Sequence, residues 1–345
     1  MPHNGRPCRD PHCYPSSPFS PVASTTLWEH FATRTTAQAP ALELAVLQVL
    51  NTGELAPVIP WVTANSGAAH VYSMDDELPS ADPRLFDEAN DDSQGSVKTE
   101  TEILKIYGKD VKTDSSKVAL LGISAHARQI EASSRALRMN IERDFVRGQG
   151  GQSNGRQMDG LRTKINIGSS QAIANHATGA GLSFAALDNL IDAVDGPNDQ
   201  KRLVMPKTIA VRFAAAARAV GIAGTVNFDM NGIGRRAMFY GDVEILRTDV
   251  DARNAPIQGF DDPGAGSNTA SIYCVAMGEG LTSGIQGPSL DADGGLNNGL
   301  TVYDVGEGFQ TPHRLTRISW HAAMVIENKR SAARLYNINN AAITA

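Results

Sequence analysis

The chain has 345 residues, with 31 Lys+Arg against 37 Asp+Glu and a net charge of −6. At roughly 150 residues per domain this is about two domains, enough to bury a core without covalent staples. Apolar residues at 41% and charged residues at 20% exclude global disorder, and the acidic balance excludes a bulk-charge grip on nucleic acid, which takes clustered Lys and Arg.

Residues 1–24 read as an extended arm. Six of the chain's 17 prolines fall there, and each fixes φ and removes a backbone donor. The start, Met1-Pro2-His3-Asn4, lacks the apolar run of a signal peptide, and no stretch approaches the ~18 apolar residues of a membrane span. A cytosolic site of folding follows as the expectation. Leu27, Trp28 and Phe31 stand at helical spacing over 25–33, and 41–50 reads as a second short helix. Val58 to Val62 is strand-like, with Pro60 suited to an edge or a bulge.

A long protrusion comes next. Residues 68–73 read as one strand, and Val97 to Tyr107 alternates as another. Between them Asp75, Asp76, Glu77, Asp82, Asp87, Glu88, Asp91 and Asp92 face a single base, Arg84. So long a polar connection is uncommon inside a compact domain. The whole of 68–108 therefore reads as a two-stranded flap with an acidic tip. Two strands alone are marginal in water, so the flap needs another surface.

From Ser115 or Ser116 a helix is expected to run to Arg147. Leu120, Ile123, Ala127, Ile130, Ser134, Leu137, Ile141 and Phe145 form its apolar stripe, and Arg128, Arg135 and Arg138 sit on its other faces. About 32 residues at ~1.5 Å each make a rod of roughly 48 Å. Residues 149–180 read as loop. Ser183 opens a helix over Phe184 to Val194, Leu203-Val204-Met205 reads as a buried strand, and Pro206 opens an alanine-rich helix to Val220. Strands then follow at 222–228, 237–240, 243–248, 271–277 and 300–305, with Gly278 to Gly299 as a loop. A long strand, well above the usual ~5–6 residues, covers Thr316 to Glu327, and a short one ends the chain at 333–338.

The search for chemistry returns little. No G-x-x-x-x-G-K-[ST] or helix-opening G-x-G-x-x-G occurs, nor any G-x-S-x-G elbow. His3, Cys8, His12 and Cys13 are zinc-ligand types, but adjacent ligands at 12 and 13 are geometrically awkward. Asp291-Ala292-Asp293 starts like a calcium loop without its closing glutamate. His126 and His321 read as packing histidines and Cys274 as a small buried hydrophobe. No catalytic residue, metal or cofactor is assigned.

Shape is the stronger signal. Taken in order, this layout resembles the major capsid proteins of tailed bacteriophages, with the α+β Hong Kong 97-type fold. The resemblance is carried by Ala186-Leu187-Asp188-Asn189-Leu190-Ile191-Asp192-Ala193-Val194, by Leu203-Val204-Met205-Pro206-Lys207-Thr208-Ile209-Ala210-Val211-Arg212-Phe213, and by Gly241-Asp242-Val243-Glu244-Ile245-Leu246. It implies an N-terminal arm at 1–40, a peripheral domain at 41–67 and 109–178 with a spine helix at 116–148, an extended E-loop at 68–108, an axial domain at 179–310, and return strands of the peripheral domain at 311–345. It further implies a non-enzymatic shell subunit. Copies would join as pentamers and hexamers in a virion assembled in the host bacterial cytoplasm. A portal, a separate scaffolding protein and decoration proteins are the implied partners, and double-stranded DNA would be enclosed without sequence-specific binding or a membrane. Contacts between copies are expected at Asp75, Asp76, Glu77, Arg84, Asp87 and Glu88 of the E-loop, at Arg128, Arg135 and Arg138 of the spine helix, and at Trp28 and Phe31 of the arm. The acidic tip has no lysine before Lys98, which argues against the flap-lysine cross-link of some family members. An encapsulin-type compartment shares the fold and is the rival reading; an oligomeric cytosolic enzyme is the second.

Overall fold

The computed structural model describes residues 25–26, 41–77, 83–86, 88, 95–220, 226–231, 235–262, 264, 268–278, 284–290, 299–307 and 312–343. The arm at 1–24 and the apolar turn with Trp28 and Phe31 lie outside the described residues. Thr25–Thr26 (β1) is a strand rather than the start of a helix, because it pairs antiparallel with Pro60–Thr63 (β2). The helix at Ala41–Leu50 (α1) is as expected. Pro60 is not on an edge, since β2 has neighbours on both sides. It occupies the first strand position, opposite Thr26 of β1, and the pairing with β12 begins only at Trp61, so its missing N–H costs no bond on that side.

The flap strands are Ala69–Glu77 (β3) and Ser96–Ile103 (β4), an antiparallel two-stranded sheet. The alternation from Val97 to Tyr107 does not make one strand. Buried Leu104 interrupts it, and Lys105–Asp114 (β5) joins a different sheet. The long helix is likewise two. Asp114, not a serine, caps the first, accepting from the Ser116 N–H at 2.7 Å. That helix, Ser115–Leu121 (α2), buries no residue and stops at Gly122, whose φ of 78° and ψ of 170° only glycine adopts readily. The spine helix proper is Ser124–Arg147 (α3), 24 residues, or about 36 Å at ~1.5 Å per residue. Its buried stripe runs through His126, Ile130, Ser134, Leu137, Ile141 and Phe145. Leu120, Ile123 and Ala127, expected in that stripe, are exposed.

Residues 149–180 hold only a short helical turn at Leu161–Lys164 (α4) and a strand at Ala172–Ala174 (β6). Phe184–Asp192 (α5), Lys201–Pro206 (β7) and Lys207–Val220 (α6) follow, with Pro206 ending the strand rather than opening the helix. Then come Val226–Met230 (β8), Arg236–Tyr240 (β9), Val243–Thr248 (β10), Ala270–Ala276 (β11), Ile285–Ser289 (β12), Leu300–Glu307 (β13), His313–Ala322 (β14), Val325–Ile326 (β15) and Ala332–Ile338 (β16). The expected long strand is thus β14, a break at Ala323-Met324, and β15. Strand β12 lies inside what reads as a glycine loop. Gly287 is there because the Trp61 ring covers it; a Cβ would lie 2.6 Å from Cε3 of that ring.

Two seven-stranded sheets organise these elements. In the first, β14 is central, flanked along its length by β13 and β5, with β12, β2 and β1 continuing beyond its end. Its inward residues Tyr107, Val111, Leu300, Ile318 and Trp320 pack with α1 and α3 in one core, where the Trp61 and Trp320 rings meet tilted at 46° with centroids 4.6 Å apart. The second sheet runs β6-β16-β11-β7-β10-β9-β8. Strand alternation splits its side chains between two cores. Val204, Leu246, Tyr273 and Val275 join the first core, while Leu203, Met205, Ile245, Ile272 and Cys274 pack with α5 and α6 in the second. The chain, already in the first sheet at β1, β2 and β5, therefore returns to it at β12, before residue 300, and leaves it again for β16. A single return over 311–345 does not describe this path, because β16 is needed to pair β11 with β6.

Candidate assembly surfaces

The flap is anchored at its root and exposed beyond it. It leaves the body through a tight turn in which Gly67 has φ of 61° and Asn65 exchanges hydrogen bonds with Val71 at 2.6 and 2.8 Å. The Leu104 N–H donates to the Ala68 carbonyl at 2.9 Å. Glu102 pairs with Lys164 of α4 at 3.0 Å, both only partly exposed. The Tyr72 hydroxyl donates to Glu100 at 3.0 Å, and Tyr72 and Met74 cluster with Val325. Further out, Val97, Lys98 and Thr99 are exposed. At the tip Arg84, Leu85, Phe86 and Glu88 are exposed, held in a local turn where the Leu85 N–H donates to the Glu88 carboxylate at 2.9 Å and Arg84 donates to the Glu88 carbonyl at 2.8 Å. Asp75, Asp76 and Glu77 are in β3, whose backbone pairs with β4; their side chains, and Asp87, lie outside the described residues.

The three spine arginines do not form one set. Arg128 and Arg135 are exposed. Arg138 is buried and donates to the Thr52 hydroxyl at 2.7 Å, next to Glu142. Glu142 accepts from the Ala56 N–H, and burial pushes its carboxyl above the ordinary range despite Arg138. Arg138 is therefore an internal tie, and the expectation of an inter-subunit contact there is withdrawn.

Two exposed apolar surfaces were not read from the sequence. Leu120, Leu121 and Ile123 project at the α2–α3 elbow, and Ile106, Tyr303 and Val305 stand out from β5 and β13. Leu120 and Ile123 of the first carry the helical spacing of a core stripe, which hides it in the sequence. The signal for the second is the presence of Ile106 on β5 and of Tyr303 and Val305 on β13 at outward positions of the alternation. On the same sheet face, Arg317 pairs with Asp110 at 2.8 Å and keeps that carboxyl below its usual range.

The groups with chemical potential are engaged in packing. His126 sits between the Thr113 and Thr316 hydroxyls at 2.9 Å each, and burial lowers its pKa. Cys274 is buried, its thiol pushed up to about 12 by desolvation. Among the described residues no three His, Cys, Asp or Glu side chains gather as metal ligands, and no helix is long and apolar enough to cross a membrane. His3, Cys8, His12 and Cys13 lie outside the described residues.

No family model and no curated sequence matches the chain. Solved structures do. The SrpI encapsulin of Synechococcus elongatus aligns at TM-score 0.58 and 13% identity over 91% of this chain and 94% of its own. The capsid of an empty GTA particle aligns at 0.54 and 15% identity, covering 83% and 90%. The Mycobacterium phage Adephagia structure aligns at 0.50 and 13% identity, covering 83% and 90%. Nearly complete coverage in both directions, on a mixed helix and strand architecture, identifies the fold as the α+β Hong Kong 97 type.

Proposed function

We propose that this chain is the major capsid protein of a tailed bacteriophage, self-assembling into an icosahedral head shell around double-stranded DNA. The observation that carries the reading is the flap. It is a two-stranded sheet, rooted by Lys164 and Val325, that holds Leu85, Phe86 and Val97 in water. Two strands without a third partner are marginal, and apolar residues clustered on exposed surfaces mark interaction sites. A neighbouring copy supplies the missing surface. The flap is then the E-loop, α3 with the first sheet the peripheral domain, and the second sheet with α5 and α6 the axial domain. The segment at 1–40, with Trp28 and Phe31, is the arm that reaches other copies.

Contacts between different patches of identical subunits close into rings, here pentamers and hexamers, and many modest interfaces sum through multivalency. A net charge of −6 suits a container that does not grip its DNA. Asp75, Asp76, Glu77, Asp87 and Glu88 meet bases of the neighbour, with Arg128 and Arg135 as exposed candidates. The role is structural rather than enzymatic. Portal, a separate scaffolding protein and decoration proteins complete the head, and assembly takes place in the host cytoplasm.

The second reading, an encapsulin-type compartment, is favoured by the alignment to an encapsulin at TM-score 0.58. Electron microscopy of the purified chain tests the shared claim: closed particles support it, and a compact monomer contradicts it. Nuclease treatment of particles from the native source separates the two readings. Protected double-stranded DNA supports the phage head; nucleic-acid-free particles holding a protein cargo support the compartment.

A further inference from the structure

The four residues of α4 each reach a different part of the molecule. Leu161 is fully buried in the first core. Arg162 pairs with Asp262 at 2.9 Å. Asp262 in turn accepts from Arg334 of β16 at 2.6 Å, and Arg334, itself buried, donates to Ser271 of β11 at 3.0 Å and to the Ile165 carbonyl at 3.2 Å. The Thr163 hydroxyl donates to the Gly148 carbonyl at the end of the spine helix at 2.6 Å. Lys164 holds Glu102 of the flap.

Freedom within this turn is small. The Gly160 N–H donates to the Gly148 carbonyl at 2.9 Å, and a Cβ on Gly160 would lie 2.5 Å from the Asp144 carbonyl and 2.7 Å from the Gly148 nitrogen. The turn is pressed against the helix end so closely that it moves with it. By contrast, a cleft of about 480 Å³ lies between the flap root and the body, walled by Tyr72 and Glu100 on one side and Lys164 and Gln171 on the other. Across this cleft the flap is tied to the body by the Tyr72–Met74–Val325 contact and by Lys164, and Lys164 is the tie that leads into α4.

We infer that α4 is a mechanical joint: displacement of the flap is transmitted through Lys164 and Arg162 to the Asp262–Arg334 cluster, and so to the second sheet. Arg162 and Lys164 are two residues apart on one rigid turn, which makes the two ion pairs dependent on each other's geometry. Only the consequence rests on the proposed shell: a neighbour that seats on the flap is felt at the second sheet. The joint itself is a property of a single chain.

Amide hydrogen exchange on the full chain tests it. Lys164→Met and Glu102→Gln cut the flap tether; Arg162→Met leaves that pair in place and cuts the link to Asp262. The joint predicts that K164M and E102Q speed exchange over 96–103 by about five-fold or more, the scale of one lost partly buried interaction. It also predicts faster exchange over 270–276 in K164M and over 96–103 in R162M. If K164M changes only the flap and R162M only the second sheet, the two are independent tethers and the inference is overturned. Near-UV circular dichroism checks the fold. Should R162M not reach the wild-type spectrum, R162K carries the same comparison, since it keeps the charge and loses the fork geometry. The readout needs no assembled particle, so a failed joint and a failed shell give different results.

Discussion

At the residue scale, close packing gives the sharpest expectations. Gly148 has an ordinary φ of −54°, so its requirement is steric: a Cβ would run into the Met158 and Asp144 carbonyl oxygens. Gly151, three residues on, has open space. Gly148→Ala should lose about 1–3 kcal/mol or more in denaturant unfolding, the usual cost of overpacking against backbone, while Gly151→Ala stays near wild type. Asp304 supplies a pH test. The Arg314 hydrogen bond at 2.8 Å, aided by the Gly306 N–H, holds its carboxyl below the ordinary 3.8. A depressed native pKa contributes stability that is present above the ordinary value and lost as pH falls through the native one. The difference in Tm between wild type and Asp304→Asn should therefore be visible near about pH 5 and shrink toward about pH 2; a difference independent of pH contradicts it. The packing role of Cys274 was legible in its apolar strand. That of Arg138 was not. Three positions beyond Arg135 on a helix turn the side chain back by about 60°, off the exposed crest and onto Thr52, and no sequence feature places Thr52 there.

At the element scale, two departures from the sequence pattern, at Gly122 and at Leu104, are interruptions of a period that continues. The stripe at Leu120 and Ile123 has correct helical spacing, yet Gly122 adopts a conformation closed to other residues and the stripe turns into an exposed elbow. Gly122→Ala should cost about 1–3 kcal/mol, the price of forcing a side chain into that region, measured as a shift in the unfolding midpoint; an unchanged midpoint would mean the elbow straightens freely into one helix. Alternation over 97–107 likewise persists through Leu104, where the chain changes sheets. Local periodicity carries no record of which partner a strand pairs with. Strand β12 was illegible for the opposite reason: Gly287 and Pro288 look like loop, and only the Trp61 ring explains the glycine. The flap was legible from its flanking strands and acid content. Replacing 78–94 with a two-residue Asn-Gly turn should leave near-UV circular dichroism and the unfolding midpoint of the body close to wild type while abolishing assembly. Particles of normal size from that variant would remove the flap from the account.

At the scale of the whole molecule, one sheet serves two cores, and the chain visits each body more than once. Order and element types along the chain were readable because helices and strands announce themselves by period. The crossings were not, because a strand's own period does not say which sheet it joins: β13 lies beside β14 in the first sheet, and β16 sits between β6 and β11 in the second. Extended parts with little local cover remain the dominant feature: the flap, the elbow at Leu120 to Ile123, and the outer face of β5 and β13. Electron cryomicroscopy of the assembled full chain tests that most directly. The account predicts a closed particle in which residues 69–103 of each copy extend over an adjacent copy and bury Leu85 and Phe86 there. A density map with that segment lying along its own subunit, or a preparation that stays a stable single chain at high concentration, would contradict it.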